Sequence, residues 1–215
     1  MNEKLFDYIA VCPTAFHTCA HSADMLRESG YTELCEARRW EIVPGGKYFV
    51  TRNGSSLIAF RVPAGEIAGF MMTAAHGDSP AFKIKENAEL SDGNYLRLSV
   101  EKYGGMLCAP WLDRPLSVAG RVLVSEGDKL SVKLVDLKDP CAIIPNVAIH
   151  MNRTANDGMS YNAAVDMLPV WMSSEKGSFR AAVAKAAGVA EDAIVTGDLF
   201  LYDPQKGVTL GEYIS

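Results

Sequence analysis

The chain has 215 residues, of which 48% are hydrophobic and 22% charged, and 21 basic against 26 acidic side chains give a formal net charge of −5. That composition excludes a disordered or collagen-like chain and supplies apolar material for one or two cores. The acidic balance argues against a binder of nucleic-acid phosphates, and no apolar run approaches the roughly 20 residues of a membrane span.

Residues 3–11 predict a short amphipathic helix that stops before Pro13. The opening Met1-Asn2-Glu3-Lys4, with Asp7 following, lacks the charged-then-apolar order of a secretory leader. Thr14 is expected to cap a second helix over about 15–29, with Gly30 as its stop. Cys12, His17, Cys19 and His21 crowd this helix start, but their spacing matches no closed zinc site, and the cysteines read as small packing residues. The five cysteines (Cys12, Cys19, Cys35, Cys108 and Cys141) are odd in number, scattered, and form no CxxC pair. They suggest no disulfide framework and a reducing, cytoplasmic setting.

Trp40–Val43 predicts a short strand closed by Pro44-Gly45-Gly46. Residues 47–51 and 56–62 predict two more, and the Asn53-Gly54 pair between them is a strong hairpin signal. Ala68–Ala75 is apolar without alternation, the pattern of a strand buried on both faces. It runs directly into His76-Gly77-Asp78-Ser79-Pro80, and the carboxyl end of such a strand is where open α/β sheets place their sites.

After about Phe82 the texture changes. Short strand-like pieces follow at 83–85, 95–103, 116–124, 129–137 and 143–151, punctuated by Gly, Asp and Pro. A helix is expected over 178–187 with Gly188 as its stop, then a strand over 194–202. The order reads as an α/β domain interrupted by a β-rich insertion. The expected divisions are 1–82, 83–195 and a return over 196–215.

The chain has four histidines: His17, His21, His76 and His150. His76 sits where chemistry is expected. A ligating imidazole needs a partner for its second nitrogen, and Asp78 can supply one across a turn at Gly77 that Pro80 stiffens. The tripeptide reads equally as a loop histidine beside a solvated aspartate. Catalytic zinc needs about three protein ligands, and spacing alone nominates no others. HExxH, GxSxG and a complete phosphate loop are absent, and Gly45-Gly46-Lys47 is only half of the last.

Longer segments carry a resemblance. Cys12-Pro13-Thr14-Ala15-Phe16-His17, Pro44 through Phe60, and Ala75-His76-Gly77-Asp78-Ser79-Pro80 are similar to motifs of the aspartyl aminopeptidase family of dinuclear zinc exopeptidases. So are Val100-Glu101-Lys102-Tyr103-Gly104-Gly105, Trp111 through Val122, Ile144 through Arg153, and Asp198 through Asp203. Cys12, Ala15 and Gly77 depart from the family pattern. The family has an α/β catalytic domain interrupted by a β-rich dimerisation domain, and it releases acidic residues from peptide N-termini. The resemblance therefore implies a zinc ligand at His76 and an orienting, catalytic aspartate at Asp78. It implies a substrate-holding histidine at His150 that reaches into a neighbouring subunit's site. Two zinc ions would activate a bridging water. Asp113 and Arg114 resemble a structural ion pair, and Glu101 is expected to be structural.

The family's bridging aspartate, its Glu-Glu pair and its last histidine lie beyond the segments matched here. The expectation is an incomplete zinc-exopeptidase-type chain, inactive by itself, that exposes a sheet edge and self-associates. Its expected partners are peptides and further copies of itself, with no nucleic acid or membrane. A second reading is a non-catalytic assembly protein that keeps the dimerisation module.

Overall fold

The computed structural model describes residues 2–173 and 177–212, and the chain divides into two compact units. One holds Met1–Ser79 with Gly207–Ser215, and the other holds Pro80–Lys206. Among the described residues no helix is long and apolar enough to cross a membrane.

The first unit contains helices α1 (Asn2–Ala10) and α2 (Ala15–Glu28) and strands β1 (Thr32–Leu34), β2 (Lys47–Arg52) and β3 (Ser56–Arg61). The strands form a sheet in the order β1-β2-β3, with β1 parallel and β3 antiparallel to β2. Asn53 (φ 53°) and Gly54 (φ 63°) make the tight turn of the β2–β3 hairpin, closed by the Ser55 N–H on the Arg52 carbonyl at 3.1 Å. Two successive positive φ values match the right-handed twist of the strands, which is why Asn-Gly is favoured there. On α2, Phe16, Cys19 and Ala23 are buried at i, i+3 and i+7, one face of a helix, and α2 packs on β2 and β3. Tyr48, Phe49 and Val50 of β2 are also buried. Gly30 (φ 78°) ends the helix as expected, its N–H on the Arg27 carbonyl.

Two predicted strands of this unit are absent. Trp40–Val43 is irregular, with Trp40 Nε1 donating to the Cys35 carbonyl at 2.9 Å and the Val43 N–H to the Tyr48 hydroxyl at 3.0 Å. Side-chain bonds take the place of a ladder there. The apolar run 68–75 is neither a strand nor buried, and Phe70, Met71 and Met72 are 86%, 103% and 88% exposed. A strand buried on both faces requires neighbours on both edges and covering layers. Among the described residues, none pairs with this segment.

The second unit is built on β4 (Ala81–Ser91), β5 (Tyr95–Tyr103), β6 (Ser117–Glu126), β7 (Lys129–Asp136), β8 (Val170–Ser173) and β9 (Ile194–Tyr202), with helix α3 (Phe179–Ala187) between the last two. The sheet order is β7-β6-β9-β4-β5-β8, all antiparallel. Phe82, Leu98, Val100, Val122, Leu199 and Leu201 line its core beneath Phe179 and Val183 of α3. Ser178 caps α3 by accepting the Ala181 N–H at 3.0 Å, and Gly188 (φ 68°) ends it in the left-handed conformation. The Glu89 carboxylate accepts the Phe179 N–H, fastening β4 to the start of the helix. At Gly120, β6 lies so close to β9 that a Cβ would collide with the Asp198 carbonyl.

The division differs from the expected one. Residues 194–202 form the central strand β9, between β6 and β4, so the chain leaves this unit at 206/207 and not at 196. The β-rich unit begins at Pro80 instead of 83. The expected strand over 143–151 is reduced to isolated bridges at 142–144. Pro145 has no N–H to donate, and the Asp113 and Asn146 side chains take the Asn146 and Val147 N–H groups at 2.9 and 2.8 Å. The short strands β1 and β8 were not expected.

Candidate metal centre

His76 and Asp78 lie in the irregular segment between β3 and β4. The His76 Nδ1 stands 2.8 Å from the Asp78 backbone oxygen and 3.3 Å from the Asp78 carboxylate. A carbonyl oxygen only accepts, so the proton of the neutral ring resides on Nδ1. The Nε2 lone pair is then the one directed away from Asp78. That is the tautomer in which Nε2 can donate to a metal, and the shorter of the two contacts is to the Asp78 backbone carbonyl rather than to its carboxylate. The His76 side chain is 82% exposed. Gly77 is not at positive φ, and a Cβ there would meet only Thr18 Cγ2, at 3.5 Å. The turn therefore does not depend on glycine.

The donor set fits one zinc ligand with its orienting group. Among the described residues no group of three or more His, Cys, Asp or Glu side chains could enclose a metal ion. The N-terminal Cys/His group is not such a cluster. Cys19 is buried, its Sγ 3.5 Å from the Ser56 carbonyl; His17 Nδ1 bonds Thr14 Oγ1 at 2.8 Å; and the His21 ring lies 5.4 Å from that of Tyr8. The Thr14 hydroxyl bonds His17 and forms no side-chain cap on α2.

His150 belongs to the other unit. It is exposed on a turn closed by the Met151 N–H on the Ala148 carbonyl and the Asn152 N–H on the Ile149 carbonyl, at 2.8 and 3.2 Å. Asp113 and Arg114 are not paired with each other as expected. Arg114 meets Asp203 at 2.5 Å, and Asp113, at φ 59°, accepts from the Asn146 backbone. The unit's main charge cluster escaped sequence reading. Asp198 accepts from Lys83 at 2.9 Å and from Arg121 at 3.0 and 3.1 Å. Burial raises its carboxyl pKa, but the bonds and charges of Lys83 and Arg121 outweigh that and hold it below the ordinary carboxylate range. Its partners lie on separate strands, so spacing could not reveal it. With both cations committed to it, Asp198 is an ion-pair hub and not a ligand.

Thus one unit presents an oriented imidazole in an α/β setting, and the other is a closed β-rich body, the architecture of a zinc-exopeptidase-type chain. The family described as Aminopeptidase I zinc metalloprotease (M18) matches residues 8–214. The chain belongs to this M18 aminopeptidase family. It is 40% identical over 220 residues to "Probable M18 family aminopeptidase 2" of Stutzerimonas stutzeri, covering 98% of this chain and 51% of that protein. It is 41% identical over 226 residues to the protein of the same name from Clostridium acetobutylicum, covering 99% and 52%. Among solved structures, a chain of the Ape4 and Nbr1 complex superposes with a TM-score of 0.91 at 32% identity, covering 97% of this chain and 45% of that one. Chaetomium thermophilum mApe1 gives 0.85 at 33%, covering 98% and 52%. The S. cerevisiae mApe1 dodecamer gives 0.78 at 27%, covering 97% and 49%. The chain spans about half the length of the curated relatives it matches.

Proposed function

We propose that residues 1–215 contribute one zinc ligand, His76, and its orienting carboxylate, Asp78, to the site of an aminopeptidase that removes N-terminal residues, acidic ones by preference, from peptides. The observation that carries this reading is the Nδ1 contact with Asp78, which leaves Nε2 as the metal-binding nitrogen. Zinc, when bound, supplies a polarised carbonyl and an activated water, with two ions in the family's scheme. The chain's own contribution is to fix the ring tautomer and hold its orientation through Asp78. The remaining ligands and the general base come from outside residues 1–215, so this stretch alone releases nothing from peptides. His150, exposed on its turn, serves to hold substrate in a neighbouring subunit's site. The protein works as a homo-oligomer through the β-rich unit, a reading supported by the dodecameric solved neighbour. The five unpaired cysteines suit a reducing cytoplasm.

The test is to isolate the protein from its source cells and measure its intact mass, zinc content and peptide products. A mass well above that of 215 residues, bound zinc, and chelator-sensitive release of N-terminal Asp or Glu are expected. A 215-residue protein that releases nothing would overturn the enzyme reading. One observation favours the second reading, a non-catalytic assembly protein: the β-rich unit closes around its own core while the metal site gathers a single ligand. Robust peptidase activity from residues 1–215 alone would overturn both the inactivity of this stretch and that second reading.

A further inference from the structure

Strand β4 parts from β9 early. The two pair only at Lys83 with Phe200 and Ile84 with Leu199, and residues 85–88 of β4 then bulge opposite Ser99 of β5. Strand β9 keeps β6 beside it from Tyr202 back to Ile194. On its other side, among the described residues, no strand pairs with residues 194–198. A cavity of about 430 Å³ occupies this gap, between the bulge, β9 and the first turn of α3. That volume lies within the roughly 300–1,000 Å³ of ligand pockets. Its apolar wall is made by Ile84, Val122, Phe179, Ile194 and Leu199. The Thr196 hydroxyl donates to the Glu86 carboxylate at 2.9 Å, so β4 and β9 are joined there through side chains in place of a ladder.

The polar lining favours a cationic occupant. It carries the carboxylates of Glu86, Glu89 and Glu191 against the side chains of Lys85 and Arg180. Arg180 is already engaged, donating to the Glu191 carbonyl at 3.2 Å and to the Ile194 carbonyl. Each carboxylate accepts one hydrogen bond, from Thr196, the Phe179 N–H and Ser178 respectively. An ionised carboxylate has about four acceptor sites, so most of their capacity remains open to donors. We propose that this gap docks an extended peptide segment, alternately apolar and basic, antiparallel to β9 beside residues 195–198. Such a segment continues the direction of β4 and completes the ladder that the bulge interrupts. Its apolar side chains meet the wall formed by Val122 and Phe179, and its ammonium groups meet the carboxylates. It displaces the bridge between Thr196 and Glu86. The site draws on the β-rich unit alone, so the proposal stands or falls independently of the metal-centre reading.

The test uses the whole chain and the blocked peptide acetyl-Lys-Leu-Lys-Leu-Lys-amide, titrated while backbone amide shifts are recorded. Shifts are expected at residues 85–89 and 194–199, with slowed amide exchange in β9. Only every second amide of an added strand faces β9, so N-methylation of successive peptide amides should abolish binding at alternate positions. The peptide with glutamate in place of lysine should bind about tenfold more weakly or worse. Glu86→Lys should weaken the lysine peptide by a similar factor. Glu86 is exposed, so this variant is expected to keep the parental melting curve. Binding that ignores N-methylation would be side-chain capture alone and would overturn strand addition. Equal binding of the lysine and glutamate peptides would overturn the basic partner. Absence of binding at millimolar peptide, or shifts confined to other residues, would overturn the site itself.

Discussion

Phe82 and Leu98, in the β-rich unit, are completely buried, whereas Phe70 and Met71, in the α/β unit, stand almost wholly in solvent. The residues are equally apolar and only their neighbours differ. In the β-rich unit every long strand except the edges is flanked on both sides, and α3 covers one face. In the α/β unit the sheet ends at β3, and among the described residues no strand pairs with the apolar run that follows. Burial is a property of assembled layers and not of apolar residues alone.

The contrast can be broken by mutation, most forcefully at the closed core. Phe82→Ala should cost about 3–5 kcal/mol, read as a lower urea midpoint, through lost transfer energy and the cavity left behind. An unchanged midpoint would mean that the core is not closed as described. Gly120→Ala comes next, at about 3 kcal/mol or less, since β6 and β9 must separate to admit the methyl group. Glu89→Ala should cost about 1–2 kcal/mol, because it leaves the Phe179 N–H at the start of α3 without its acceptor. Fraying of that helix should be visible in amide exchange. Asp198 sharpens the comparison through pH. Its folded pKa lies below the unfolded value of about 3.9, so its contribution is fully present above that value and is lost as pH falls through the folded value. The urea midpoint should therefore drop between neutral and strongly acidic pH, and less steeply in Asp198→Asn. Phe70→Ser should be the mildest change, within about 0.5 kcal/mol, because its ring is already in water. It should nonetheless reduce aggregation in light scattering, and a large loss of stability would show that the run is packed after all.

What was legible in the sequence follows from the range of the forces involved. Asn53-Gly54, Ser178 and Gly188 act within one turn, and each marks its hairpin or helix end where expected. The contact between His76 and Asp78 is equally local, a two-residue reach that could be read from the tripeptide. The run 68–75 revealed what its residues are suited to but not whether partners were at hand. Ile143–Met151 looked like a strand by composition, yet Pro145 and the Asn146 side chain turn the backbone to local partners. The Lys83–Asp198–Arg121 hub joins three strands distant in sequence, and no spacing rule reaches it.

The position of β9 also bears on how the protein is made. It comes last of the nine strands among the described residues but lies between β6 and β4, one of the two central places of its sheet. During synthesis the β6–β7 hairpin and the β4–β5 pair can each form early, as two half-sheets linked only by the isolated bridges at 142–144 and by β8. Their ladders become one continuous sheet when residues 194–202 emerge and pair with both β6 and β4. Until that moment the inner edges of β4 and β6 are open to the wrong strands. The time the nascent chain spends waiting for β9 is its period of greatest exposure to aggregation and to capture by chaperones.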